Sequence, residues 1–158
     1  MSISIQENDF DLAAELGALR CSSSKIGGIV SFVGLVRDFS NDGHIENIFL
    51  EHYSGMTEKA LQKIIDEATV RWNLLGTRVI HRIGTLLPND QIVLVATAAL
   101  HRGEAFAGCE FIIDYLKTAA PFWKREQSGQ GAHWLETRET DVQRSARWNE
   151  EAAKEKTI

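Results

Sequence analysis

Residues 101–126 read HRGEAFAGCEFIIDYLKTAAPFWKRE, and this stretch decides both the fold and the place of the chemistry. Ala105, Phe106, Cys109, Ile112, Ile113 and Leu116 recur at helical spacing, which predicts an amphipathic helix with one buried face. His101 and Arg102 stand at its start, where unpaired N–H groups and the positive end of the helix dipole already concentrate. Cations there do not help the helix, but they suit an anion. Lys117 lies one turn beyond Ile113, and Pro121 forces the chain into an extended exit on which Phe122, Lys124 and Glu126 share one face. Lys117, Lys124 and Arg125 fall in a nine-residue run without an acid, in a chain of net charge −5. Singly, each is an ordinary surface cation, and Lys117 also complements its helix terminus. Grouped beside aromatic residues in an acidic chain, they point to an anionic ligand.

Working outward, Gln91–Leu100 is apolar on both faces and therefore a central strand, joined to a strand over Thr77–Gly84 across Leu87-Pro88-Asn89-Asp90. From Ser54, SGMTEKALQKIIDEATVRW predicts a second amphipathic helix with Ala60, Leu61, Ile64, Ile65, Ala68 and Trp72 inward. Gly27-Gly28 opens the β-branched run IVSFVGLVRDF. The turn-rich SNDG follows, and IENIFLEHY is expected to return as the second arm of a hairpin. Gly34 inside the run marks either a bulge or a close backbone approach. The Gly27-Gly28 pair precedes a strand, so it is not a phosphate loop. Ser2–Gln6 alternates as a short strand, and Asn8 or Asp9 is expected to cap a helix running through Leu12, Leu16 and Leu19 to Arg20. A last short strand is expected over His133–Glu136 and a charged helix over Thr140–Lys156. Arg138 and the segment around Trp148 lie beyond the core pattern, which favours a solvated terminus over a crossing to a second copy.

A length of 158 residues with 44% hydrophobic and 25% charged residues fits one domain over 1–158, with its core at about 27–148 and with 1–25 and 149–158 peripheral. Early acids and the lack of a long apolar run at the N-terminus argue against a signal peptide or membrane span, and place the protein in the cytoplasm. Cys21 and Cys109 form no CxxC or Cys/His cluster and the five histidines have no ligand spacing, so neither a metal nor a cofactor is expected. The acidic balance speaks against nucleic acid.

GGIVSFVGLVRDF, LEHYSGMTEKAL, VIHRIG, LHR at 100–102 and DYLKTAAPFWKRE, in this order, closely resemble the large, catalytic subunit of molybdopterin synthase, over about residues 27–148. The resemblance implies an α+β fold with a hammerhead-type subdomain, a mixed or antiparallel sheet and a second small β-rich lobe. It implies a sulfurtransferase that converts cyclic pyranopterin monophosphate into molybdopterin by building its dithiolene. The sulfur arrives as the C-terminal Gly-Gly thiocarboxylate of a small ubiquitin-like subunit, and the large subunit is a homodimer within a heterotetramer. Matched motif by motif, Lys117 and Lys124 fall on the catalytic lysines. Arg37, His101 and Arg102 fall on substrate-anion contacts, with Arg125 and Glu126 lining the same pocket and Arg138 contributed across the dimer. Leu35 and Val36 precede Arg37 and are expected to contribute mainly backbone contacts. A thiocarboxylate is already nucleophilic, so the enzyme must align sulfur, stabilise anionic charge and move protons. Crowding among Lys124, Arg125 and Arg102 would depress the Lys117 pKa and make its amine a base or an acyl acceptor, with Lys124 electrostatic. Two other readings use the same residues: a Schiff-base lyase or isomerase acting through Lys117, and a non-catalytic adaptor for a ubiquitin-like protein.

Overall fold

The computed structural model describes residues 2–155 apart from 41–42, 121, 130 and 136–137. In chain order the elements are β1 (Ile3–Gln6), α1 (Leu12–Cys21), β2 (Gly28–Leu35), β3 (Phe39–Ser40), β4 (Gly43–His52), α2 (Met56–Trp72) and β5 (Gly76–Arg82). There follow β6 (Gly84–Leu86), β7 (Gln91–Ala99), α3 (Arg102–Ala119), β8 (Phe122–Ser128), β9 (Gly131–Leu135) and α4 (Glu139–Glu155). The Pro121 exit, the middle of the SNDG turn and Glu136 lie outside the described residues.

The architecture is α+β with two sheets. The first is mixed, in the order β1-β5-β7-β2, with β1 parallel to β5 and the other pairs antiparallel. As its composition requires, β7 is central and buried on both faces from Val93 to Ala99. Alternation then sorts its neighbours. Val79, Val93 and Val95 face α2 and α3 in a core with Leu61, Ile65, Phe111 and Ile112. Ile80, Leu94, Ala96 and Ala98 pack with Leu19 of α1 and with Phe10 just before it. Fully burying a side chain such as Phe111 or Ile112 contributes about 1.5–3 kcal/mol. The second sheet runs β3-β4-β8-β9 with β6 added on β4, over a small core of Val36, Ile45, Ile48, Leu50 and Leu86. Ile92 of β7 packs against this cluster as well as the first, so the two sheets meet there.

Several expectations are corrected. IENIFLEHY does not return as a hairpin on GGIVSFVGL: β2 pairs with β7, whereas β4 pairs with β8 and β6 in the other sheet. The chain after Leu35 is held by Val36 N–H donating to the Asp90 carbonyl and Asn89 N–H to the Val36 carbonyl, so it leaves alongside the turn before β7. Only a two-residue hairpin, β3 on β4, survives. The α1 cap is Asp11, whose carboxylate accepts from Ala14 N–H at 3.0 Å; Asp9 instead accepts from Phe10 N–H and the Gln91 amide. Residues 1–25, expected at the periphery, supply β1 and bury Phe10 and Leu19. Phe106 is exposed, since the buried stripe of α3 runs through Ala105, Cys109, Ile112 and Leu116. Gly34 takes the bulge reading, with a register shift beside it; what crowds it is not backbone but a side chain, since a Cβ there would lie 2.7 Å from Val93 Cγ1.

The C-terminal segment is not a solvated tail. α4 docks on α3, and Trp148 is 5% exposed, edge-on to Trp72 and Phe111. Its Nε1 donates to the buried Asp114 carboxylate at 2.8 Å, and Arg144 Nε donates to the same group at 3.1 Å.

Candidate active site

A pocket of about 320 Å³ opens where the last turn of α3 meets the second sheet. Arg37, Lys117, Lys124 and Arg138 line it, together with Asp141, His81, Phe122 and the apolar Leu35, Ile48, Leu50, Ile92 and Leu116. Each cation comes from a different segment of the chain. Arg37 follows β2, just past the Val36 backbone that is fixed to Asn89 and Asp90. Lys117 sits in the last turn of α3, next to buried Leu116. Lys124 lies on β8 opposite Leu50, and Arg138 stands immediately before α4.

Although Lys117 as a whole residue is exposed, the surrounding walls remove enough water to lower its pKa. Arg138 and Arg37 push it further down, and Asp141 opposes them. Lys124 is lowered by burial, opposed by Glu126, with Lys117 and Arg138 adding to the depression. Glu126 is 1% exposed, and its Oε1 lies 3.6 Å from Lys124 Nζ. Neither Glu126 oxygen has a hydrogen-bond partner among the described residues, so this carboxylate depends on the Lys124 charge. The pocket thus offers four cations to an anion, and burial lowers the pKa of the two that are amines.

Of the residues expected at the site, Leu35, Arg37, Lys117, Lys124 and Arg138 come together. Others do not. Val36 is buried in the small core. Glu126 lies behind Lys124 rather than on the lining. Arg125 points to the other face of β8, with its guanidinium 5.1 Å from the Phe49 ring and 5.6 Å from the Trp134 ring. His101 and Arg102 are exposed at the opposite end of α3, roughly 22 Å from Lys117 at about 1.5 Å of helix rise per residue. Crowding of Lys117 therefore comes from Arg138 and Arg37, not from Arg102 or Arg125. Arg138, which the resemblance assigns to a second copy, lines the pocket of its own chain because α4 is docked there. His81 and Asp141 were missed. His81 looks like one polar residue in a buried strand, and Asp141 like one acid in a charged helix.

The family model for the MoaE protein matches residues 5–119. The chain belongs to the MoaE family. It is 57% identical over 147 residues to the molybdopterin synthase catalytic subunit of Ralstonia nicotianae, covering 93% of this chain and 84% of that protein. The solved molybdopterin biosynthesis MoaE protein from Burkholderia ambifaria superposes with a TM-score of 0.81 at 54% identity, over 94% of this chain and 97% of that one. A solved molybdopterin synthase from Staphylococcus aureus has the same fold, with a TM-score of 0.80 at 29% identity over 86% of this chain and 98% of that one. Membership of the MoaE family carries the α+β fold with it, and no helix among the described residues is long and apolar enough to cross a membrane.

Proposed function

We propose that the chain, as one catalytic domain, is the catalytic subunit of a molybdopterin synthase working in the cytoplasm, where its two free cysteines stay reduced. The pocket moves sulfur from the C-terminal thiocarboxylate of a small ubiquitin-like partner onto cyclic pyranopterin monophosphate, giving the dithiolene. The convergence of Arg37, Lys117, Lys124 and Arg138 from four separate segments on one pocket carries this reading. Arg37 and Arg138 hold the substrate phosphate, since guanidinium groups bind planar oxyanions through paired donors. Lys117, whose pKa is lowered so that its amine loses its proton more readily than an ordinary lysine, transfers protons or accepts the acyl group as sulfur departs. Lys124 supplies fixed positive charge over the reacting carbonyl, and Glu126 holds it in place.

His101 and Arg102 lie too far along α3 to reach this pocket, so their anion contact is made in the pocket of a second copy within a homodimer. Mixing Lys117→Ala with Arg102→Ala chains then restores activity, because one of the mixed sites keeps both residues. The test of the whole reading is incubation with a thiocarboxylated small subunit and the pyranopterin. Dithiolene product is expected, and its absence with both reactants at saturation would overturn the assignment.

A further inference from the structure

The guanidinium groups of Arg37 and Arg138, like the lysines when protonated, only donate hydrogen bonds, so they recognise the oxygens of a ligand and not its N–H or O–H groups. The lining offers acceptors at Asp141, whose charge already acts on Lys117, and at His81. The structure fixes which nitrogen of His81 is available. Its Nδ1 lies 2.7 Å from the Arg82 carbonyl oxygen, which can only accept, so Nδ1 carries the hydrogen. Burial keeps the ring neutral down to about pH 4, and the charges of Lys117 and His52 act in the same direction. Nε2 is left with a free lone pair.

Phe122 lies flat on the imidazole, with ring centroids 3.7 Å apart and an interplanar angle of 17°. That stack and the Nδ1 bond hold the ring in one orientation. Nε2 makes no hydrogen bond among the described residues, and it is not among the nitrogens sealed away without a partner. The residue is only 5% exposed and lines the pocket, so what it shows, it shows there. The stack and the Nδ1 bond to Arg82 account for the ring and for one nitrogen; neither uses Nε2, which stays an acceptor wanting a donor.

We propose that His81 binds substrate: Nε2 accepts a hydrogen bond from a ring N–H or an O–H of the ligand whose phosphate the cations hold. The proposal rests on the reading of this pocket as the site for a phosphorylated pterin. It makes His81 the residue that distinguishes a donor-bearing heterocycle from a bare anion.

The test is calorimetric titration of the full-length wild type, His81→Phe and His81→Gln with cyclic pyranopterin monophosphate and, separately, with inorganic phosphate. His81→Phe should weaken the pyranopterin about tenfold, the loss expected when a buried donor is left without its acceptor, while phosphate affinity stays unchanged. His81→Gln, whose amide oxygen reaches the Nε2 position, should recover part of the loss. In turnover, the His81→Phe defect should fall on KM with kcat maintained. Wild-type pyranopterin affinity in His81→Phe would overturn the role of His81 alone. Equal loss of both ligands in both variants would assign the residue to packing and also overturn it. A wild type that binds phosphate but no pyranopterin would remove the reading of the pocket, and this proposal with it.

Discussion

Replacing Asp114 with alanine tests how Arg138 reaches the pocket. Asp114 is 5% exposed and accepts from three α4 side chains: Trp148 Nε1 at 2.8 Å, Arg144 Nε at 3.1 Å and Arg147 Nη2 at 3.4 Å. Arg144 and Arg147 are 52% and 38% exposed and keep Glu110 as a second partner. Their pairs with Asp114 are therefore worth at most about 1 kcal/mol each. Stranding the buried indole N–H costs about 1–3 kcal/mol more. The sum is about 1–5 kcal/mol, which for a chain of this size lowers Tm by about 2–20 °C. Trp148→Phe keeps one aromatic ring in place and leaves the arginine pairs intact, but it loses the indole donor and part of the buried ring, so it should cost about 1–3 kcal/mol. Because α4 follows directly on Arg138 and carries Asp141, Asp114→Ala should also weaken pyranopterin binding more than Trp148→Phe does. Scanning calorimetry and ligand titration on the two variants decide the matter. An Asp114→Ala protein that melts with wild type, or one that melts low but binds substrate normally, would refute the view that this buried carboxylate positions the end of the pocket.

Lys117→Arg should abolish single-turnover dithiolene formation at saturating partner, because a guanidinium keeps its proton, whereas Lys124→Arg should retain part of the activity; equal rates would show that both positions supply only charge. If the Lys117 amine works neutral, kcat rises with pH along a limb below the ordinary lysine value of 10.5. Asp141→Asn removes the carboxylate that favours the ammonium form and should move that limb to lower pH, and Arg138→Ala should move it higher, read from kcat–pH profiles. His81 takes up its proton at about 4 when folded and at its ordinary 6.5 when unfolded, so between these values the unfolded chain binds more protons and stability falls as pH falls. Urea unfolding should show up to about 3 kcal/mol of this loss in wild type, and a flatter acid limb in His81→Phe.

The parts of the fold legible in the sequence are those where periodicity is dense. α2, α3 and the doubly buried β7 follow directly from their apolar spacing. The β2–β4 hairpin was misread because proximity in sequence favours adjacent pairing, while β2 finds its ladder on β7, far along the chain. α4 buries chiefly Trp148 and Ser145, too few apolar positions to reveal a docked face, and its anchor on Asp114 is a contact between distant residues. At the site, Lys117, Lys124 and Arg37 were legible from their motifs. Within one chain His101, Arg102 and Arg125 do not join them, because a helix of 18 residues separates its ends and neighbours on a strand face opposite ways. His81 carries no local signal at all, since its role depends on which carbonyl takes its Nδ1 hydrogen.

The four pocket cations are supplied by segments spread over most of the chain, from Arg37 to Arg138, and this dictates when the site comes into being. A nascent chain holds no anion-binding fragment until nearly all of it has left the ribosome, so substrate cannot rescue a half-made molecule or template its folding. What the ligand can do is act on the finished protein, where it relieves the mutual repulsion of those charges and adds stability in proportion to its occupancy. With no anion between those charges, the finished protein would be at its most labile.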